Sequence, residues 1–216
     1  MRTQSITREL SRFIYGLSFK DLPNEVVDRA KNRILDALSI AIAGRDFPIP
    51  RMGLNLVRNN KGKATVFTHN LRLPAVDAAL VNSLLANTLS QGDFAYGAHA
   101  GAVVVPATIA AAEEEGGTGA EVITAVVAGY DIMARIYLGA PSIAHTFRAT
   151  SVYGPFGTAT AAGKLLKLNE DGLTNALGLA ANLSSGLLAT FQSGTMETQF
   201  HGPMAVSYTH LRAHET

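Results

Sequence analysis

Residues 26–44, VVDRAKNRILDALSIAIAG, decide the architecture. Apolar positions recur there at helical spacing, and the second half, ILDALSIAIAG, is apolar almost all round. Such a helix belongs inside a protein rather than on its surface. Gly44 stands where a C-terminal glycine would stop it. The preceding FKDLP supplies the start, with Asp21 placed to cap and Pro23 close to the first helical position. Asp36 is the one carboxylate in the buried half. It reads as a structural group paired with a backbone amide or an arginine, in preference to a catalytic one.

Working outward, Ile6, Leu10, Phe13, Ile14 and Leu17 make residues 4–17 a short amphipathic helix. Further helices are predicted over 74–89, 104–115, 119–138, 155–167 and 170–190. Pro74, Pro106 and Pro155 fall near the starts of three, and Gly116 and Gly117 follow the end of one. ATVFT (64–68), bounded by NNKGK and HNLRLP, reads as a short strand and so as part of one small β hairpin. Small residues in AAGKLL and GLAANLSSGLL let helices approach closely, which favours a compact multi-helix body. The expected fold class is all-α.

The totals agree with that body. The chain has 216 residues, enough for one domain or for one and part of another, and 47% of them are apolar against 16% charged. A net charge of +1 and the lack of a basic stripe speak against nucleic acid as a partner. With no cysteine, disulfides, thiolate metal sites and cysteine nucleophiles are excluded. MRTQSITRELSRF lacks the hydrophobic run of a signal peptide, and the longest apolar stretches are broken by Gly, Asn and Asp. A cytoplasmic protein without a membrane span is expected. The last eleven residues, VSYTHLRAHET, have no helical stripe and read like translated adapter sequence, so 1–205 is taken as the domain and 206–216 as a non-native tail. His210 and His214 are therefore not read as metal ligands.

Three polar islands interrupt the helices. In SQGDFAYGAHAGAVVVP (90–106), Ser90 and Asp93 lie one turn apart at a helix end, and His99 follows a glycine-rich bend. An Asp and a His in a cleft can act as an acid–base pair, or the Asp can hold the His tautomer; helix capping by Asp93 with a merely packed His99 is the competing reading. In HTFRATSVYGPFGTATAAG (145–163), Arg148, Thr150 and Ser151 combine a guanidinium fork, hydroxyls and a helix start, which suits a carboxylate or phosphate. The alternative there is a capping turn with Arg148 at the surface. In SGTMETQFHGP (193–203), Glu197 and His201 are four apart, but no third ligand is evident, so a metal site is not predicted.

Several segments together resemble the MmgE/PrpD family: RAKNRILDALSIAIAG, ATVF, AALVNSLLANTL leading to GAHAGAVVVPATIAAAEE, TSVYGPFGTATAAGKLL, NALGLAANLSSGL and FHGPMA. The resemblance runs from about Ser5 to Ala205. It implies the N-terminal part of a large helical domain, with an α/β lid beyond this chain and an active site between the two. It also implies a cofactor-independent enzyme, usually a homodimer, acting on small di- or tricarboxylates. In the family's acidic cluster, Asp93 matches the last Asp and Ser90 the first when aligned without a gap; with a gap Asp93 takes the first position. His99 matches the turn histidine either way. Arg148 stands where the family often has a catalytic histidine, Thr198 where it has a lysine, and His201 matches a second histidine, with Gly202-Pro203 inverted.

On this reading Asp93, His99 and His201 are the catalytic candidates, and Arg148, Thr150, Ser151 and Ser90 bind substrate. The expected activity is that of a lyase, a dehydratase or decarboxylase, working by proton abstraction next to a carboxylate. An epimerase of the same family and a non-catalytic carboxylate-binding or structural protein are the alternatives.

Overall fold

The structure, a computed structural model, describes residues 5–196, 199–204 and 206. The helices are α1 (Ile6–Gly16), α2 (Asn24–Ala43), α3 (Pro48–Val57), α4 (Ala75–Asn87), α5 (Gly101–Glu115), α6 (Gly119–Gly139), α7 (Ala149–Leu165), α8 (Glu170–Leu183) and the short α9 (Ala189–Gln192). A two-stranded antiparallel sheet pairs β1 (Ala64–Thr65) with β2 (Arg72–Leu73). The all-α expectation with one small hairpin holds.

At the centre lie α5 and α7, whose residues are almost all buried. Apart from Glu113–Glu115 at the end of α5 and Lys164 in the last turn of α7, both are built mainly from small and apolar residues with no polar face, so neither could stand at a surface. On one side α6 crosses α7 at a pair of glycines. A Cβ on Gly129 would lie 2.8 Å from the Gly157 carbonyl oxygen, and one on Gly157 would lie 2.9 Å from that of Gly129. Val104 of α5 fills the angle, its two methyls within 2.7 and 3.0 Å of those same Cβ positions. The small residues thus serve close helix approach, as their abundance predicts.

Two prolines lie elsewhere than expected. α5 begins at Gly101 and α7 at Ala149, so Pro106 and Pro155 sit inside their helices instead of opening them. Pro106 has no N–H for the carbonyl of Ala102, four residues back. The buried Ser83 of α4 supplies the missing donor, its Oγ 2.6 Å from that oxygen. A Ser83→Ala variant is expected to lose about 1–3 kcal/mol, the usual consequence of an unsatisfied buried acceptor. Urea unfolding would measure it, and an unchanged midpoint would show that another group serves Ala102.

Other differences have equally local causes. Asp21 turns back to accept from the Ser18 amide and hydroxyl, so the α2 start has Pro23 at its cap position instead. The strand of 64–68 is shorter than its apolar run because a side chain of α4 takes over the pairing. Buried Asn82 accepts from the Phe67 amide at 2.9 Å and donates to the Thr65 carbonyl at 2.8 Å. α3 carried no prediction; its Gly53 packs directly beneath Leu84 of α4. α8 stops at Leu183 rather than continuing to 190, and Ser184 Oγ caps the break by donating to the Val152 and Ala180 carbonyls. α6 is long and apolar enough to cross a membrane, contrary to the sequence reading. Here it packs against α2, α5 and α7 and carries an exposed Asp131–Arg135 ion pair.

Candidate active site

Between α4 and α5 the chain makes a tight hairpin. The Ala95 and Ala98 amides and carbonyls exchange two hydrogen bonds of 3.0 Å, leaving Tyr96 and Gly97 as the turn. Both have positive φ, +52° and +74°, the geometry that a two-residue hairpin turn requires. Glycine takes it freely; Tyr96 is held there with its ring 5.5 Å from that of Tyr137, which packs edge-on against Tyr153. The turn folds His99 back onto the start of its own loop.

His99 is half-buried. Its Nδ1 lies 3.3 Å from the Gly92 carbonyl oxygen and 3.2 Å from that of Asp93. Both partners can only accept, so Nδ1 carries the proton and Nε2 keeps the lone pair. The His99 amide donates to Thr150 Oγ1 at 3.1 Å, which ties the hairpin to the first turn of α7. The Phe94 ring covers the imidazole at 5.1 Å.

Asp93 contacts His99 through its main chain. Its carboxylate instead accepts the Gly101 amide at 2.9 Å, completing the N-terminus of α5. Its own amide donates to Asp36 Oδ2 at 3.0 Å, so Asp36 is the structural carboxylate that the sequence pointed to. Tyr130 of α6, which the sequence reading did not single out, stands beside Asp93. A Cβ on Gly101 would meet Asp93 Oδ1 at 2.6 Å and the Tyr130 hydroxyl at 2.8 Å. Burial, and then the Asp93 charge, push the Tyr130 phenol well above its ordinary pKa, so it stays a neutral hydroxyl.

The other candidates gather on the α7 side. Arg148 is the residue before α7 and is 7% exposed, and its burial pulls the guanidinium below its ordinary pKa. Its amide donates to the Gly186 carbonyl at 2.9 Å, within a short bridge between Phe147 and Leu187. Thr150 and Ser151 are buried; Thr150 already receives the His99 amide, and the Ser151 hydroxyl has no hydrogen-bond partner among the described residues. His201 lies half-buried against Gly186, where a Cβ would come within 2.9 Å of its Nδ1. Gly186 has φ +101°, so it must be glycine for both reasons. Gly202 rests on Thr150 and Val103.

Ser90 receives the Gln199 amide at 3.3 Å, and Gln199 in turn accepts from Asn87 at 2.8 Å. Neither Asn87 nor Gln199 had been singled out, since ordinary amides leave no pattern in a sequence. The seven candidates therefore form one neighbourhood, contributed by the α4 end, the hairpin, the α7 start and the 199–204 segment. Glu197, Thr198, His210 and His214 lie outside the described residues, as does the tail apart from Val206. No three His, Asp or Glu side chains come together as a metal site among the described residues.

A cavity of about 320 Å³ lies against the hairpin. Its walls are Tyr96, Ala98 and Ala100 of the loop with α2, α6 and Tyr153, and none of the seven candidates faces it. Its walls are mostly apolar, with Arg29, Arg33 and Asp131 among them.

The hairpin that carries His99 is tied to the start of α7, next to the buried Arg148, within an all-helical body. The sequence profile of the MmgE/PrpD N-terminal domain matches residues 8–210, and the chain belongs to the MmgE/PrpD family. Among individual proteins it is similar to a cis-aconitate decarboxylase of Aspergillus terreus, 30% identical over 209 residues, or 91% of this chain and 43% of the relative. The human cis-aconitate decarboxylase is 27% identical over 206 residues, 90% and 43% respectively. A cis-aconitate decarboxylase-like protein of Aspergillus oryzae is 26% identical over 211 residues, 91% and 44%. The chain thus spans less than half the length of these relatives.

Proposed function

We propose that the full-length protein is a lyase acting on a small di- or tricarboxylate, with a decarboxylase of the cis-aconitate type as the leading form. The observation that carries this reading is the fixed tautomer of His99, which leaves Nε2 free to exchange a proton with a ligand. Arg148, cationic at any working pH, supplies the charge against which a substrate carboxylate is held. Ser90, Thr150 and Ser151 complete the binding side, and His201 is the second proton-carrying group.

The chemistry asks little more than this. In cis-aconitate the bond from the methylene carbon to its carboxylate breaks, carbon dioxide leaves, and that electron pair becomes a new C=C bond. The old C=C pair then takes up a proton at its far carbon. His99 delivers that proton from Nε2 as the imidazolium and regains one from water. A dehydratase or an epimerase would use the same nitrogen in reverse, abstracting a proton next to a carboxylate.

The test is to incubate the natural full-length protein with cis-aconitate in deuterium oxide. Carbon dioxide release with one deuterium in the product is the expected result. A hydrated product without gas would move the assignment to a dehydratase, and deuterium exchange in a substituted succinate without net change to an epimerase. Carboxylate binding without turnover on any of these would overturn the lyase reading.

A further inference from the structure

We infer that Asp36 is a positioning residue for His99, acting through the single peptide group that lies between them. The inference rests on the reading of His99 as the proton carrier. The amide that Asp36 accepts, that of Asp93, and the carbonyl of Gly92, which receives His99 Nδ1, belong to the same peptide unit. That peptide is trans, so its N–H and C=O point in opposite directions. Asp36 and His99 therefore sit on its two opposite edges, 3.0 Å from the nitrogen and 3.3 Å from the oxygen.

This arrangement is a relay. A carboxylate on the N–H side polarises the amide and makes its oxygen a stronger acceptor. The Nδ1–H bond is strengthened, the tautomer is held, and Nε2 becomes more basic. In many enzymes a carboxylate contacts the histidine directly; here the nearby Asp93 carboxylate is engaged by the Gly101 amide. Asp36 delivers its negative charge from the other side of the loop. Its own setting is firm, since it lies on α2, and Gly92 packs over Ile40 one turn further along. The other ionisable groups around the relay are Arg33 one turn back on α2, Asp93 in the hairpin, Tyr130 from α6 and, past Thr150, Arg148 of α7.

The full-length protein, labelled with nitrogen-15 at histidine, is the sample for the test. In wild type the His99 ring should show the Nδ1–H tautomer when neutral. Asp36→Asn keeps an acceptor for the Asp93 amide and removes only the charge. It is expected to lower the His99 titration midpoint by about half a pH unit and to shift the alkaline limb of kcat/KM, where the imidazolium donor is lost, down by the same amount. Asp36→Ala, which also frees the peptide, should reduce kcat by roughly 10–100-fold with little change in KM. Rescue of most of that loss in Asp36→Asn is expected. An unchanged His99 titration in Asp36→Asn overturns the relay whatever the activity does. A shifted titration in an enzyme that remains active as His99→Asn would leave the relay standing and remove the catalytic reading instead.

Discussion

Gly129→Val is expected to be among the most damaging single substitutions in this chain. The new side chain would have to occupy the point where three helices meet, with its Cβ 2.7 Å from a Val104 methyl and 2.8 Å from the Gly157 carbonyl oxygen. A flexible side chain could turn away, but a backbone oxygen in mid-helix cannot. α6 and α7 would have to separate, opening the packing around Val104 and the buried face of α7. Overpacking of a tight core typically costs about 1–3 kcal/mol. Here the full amount and more is expected, because the clash is with main chain and a β-branched residue adds a second methyl. Against a typical stability of about 5–15 kcal/mol, such a loss leaves a marginal protein. Urea or thermal unfolding measures it. Gly178→Ala is the control: its position in α8 is exposed and has nothing within 4 Å, so helix propensity should make that variant up to about 1 kcal/mol more stable. Equal midpoints for the two variants would mean that α6 and α7 do not cross as described.

His99→Asn should have the largest effect on activity. The asparagine amide can still donate to the Gly92 and Asp93 carbonyls, so the hairpin and the melting temperature should be retained. What disappears is Nε2. General acid–base groups usually contribute about 10²–10⁴-fold, and on the function proposed above the fall in kcat should lie within that range. Binding of the substrate, read from KM or from a titration with a product-like dicarboxylate, should stay within a few-fold because Arg148, the group proposed to hold the carboxylate, is untouched. A variant that turns over at the wild-type rate would move the proton-transfer role from His99 to another group such as His201. Loss of binding together with activity would show that the imidazole holds the substrate rather than serving it.

Much of the fold was legible because its signals are local. The helical spacing of 26–44, the small-residue runs of 150–166 and the turn composition around 64–73 each speak for their own segment, although the apolar second half of α2 is not wholly interior as its composition predicts: Leu35 and Ile42 are 63% and 65% exposed. Errors came where a distant group changed the meaning of a local sign. Pro106 looks like a helix opener, but Asp93 starts α5 earlier and Ser83 repairs the gap that the proline makes. The run ATVFT looks like a longer strand, yet Asn82 replaces its partner. The site behaved in the same way. His99, Asp93, Arg148 and Thr150 stood out as polar residues in apolar surroundings, and they do converge. Which atom of Asp93 reaches His99, and the arrival of Tyr130, Asn87 and Gln199, depend on how helices far apart in sequence pack, and no spacing rule carries that.

α5 completes its hydrogen bonds with groups from elsewhere in the chain. Its first amide is served by Asp93 and the carbonyl orphaned by Pro106 by Ser83. Segment 101–115 is therefore a poor seed for folding, since a lone helix of that length is marginal and this one lacks its own terminal and central bonds. Its helical state draws on the bonds that α4 and the hairpin supply. The hairpin is anchored by the same contacts, so the imidazole takes up its native position only where the central helices have come together. Appearance of the His99 tautomer would thus report completion of the core.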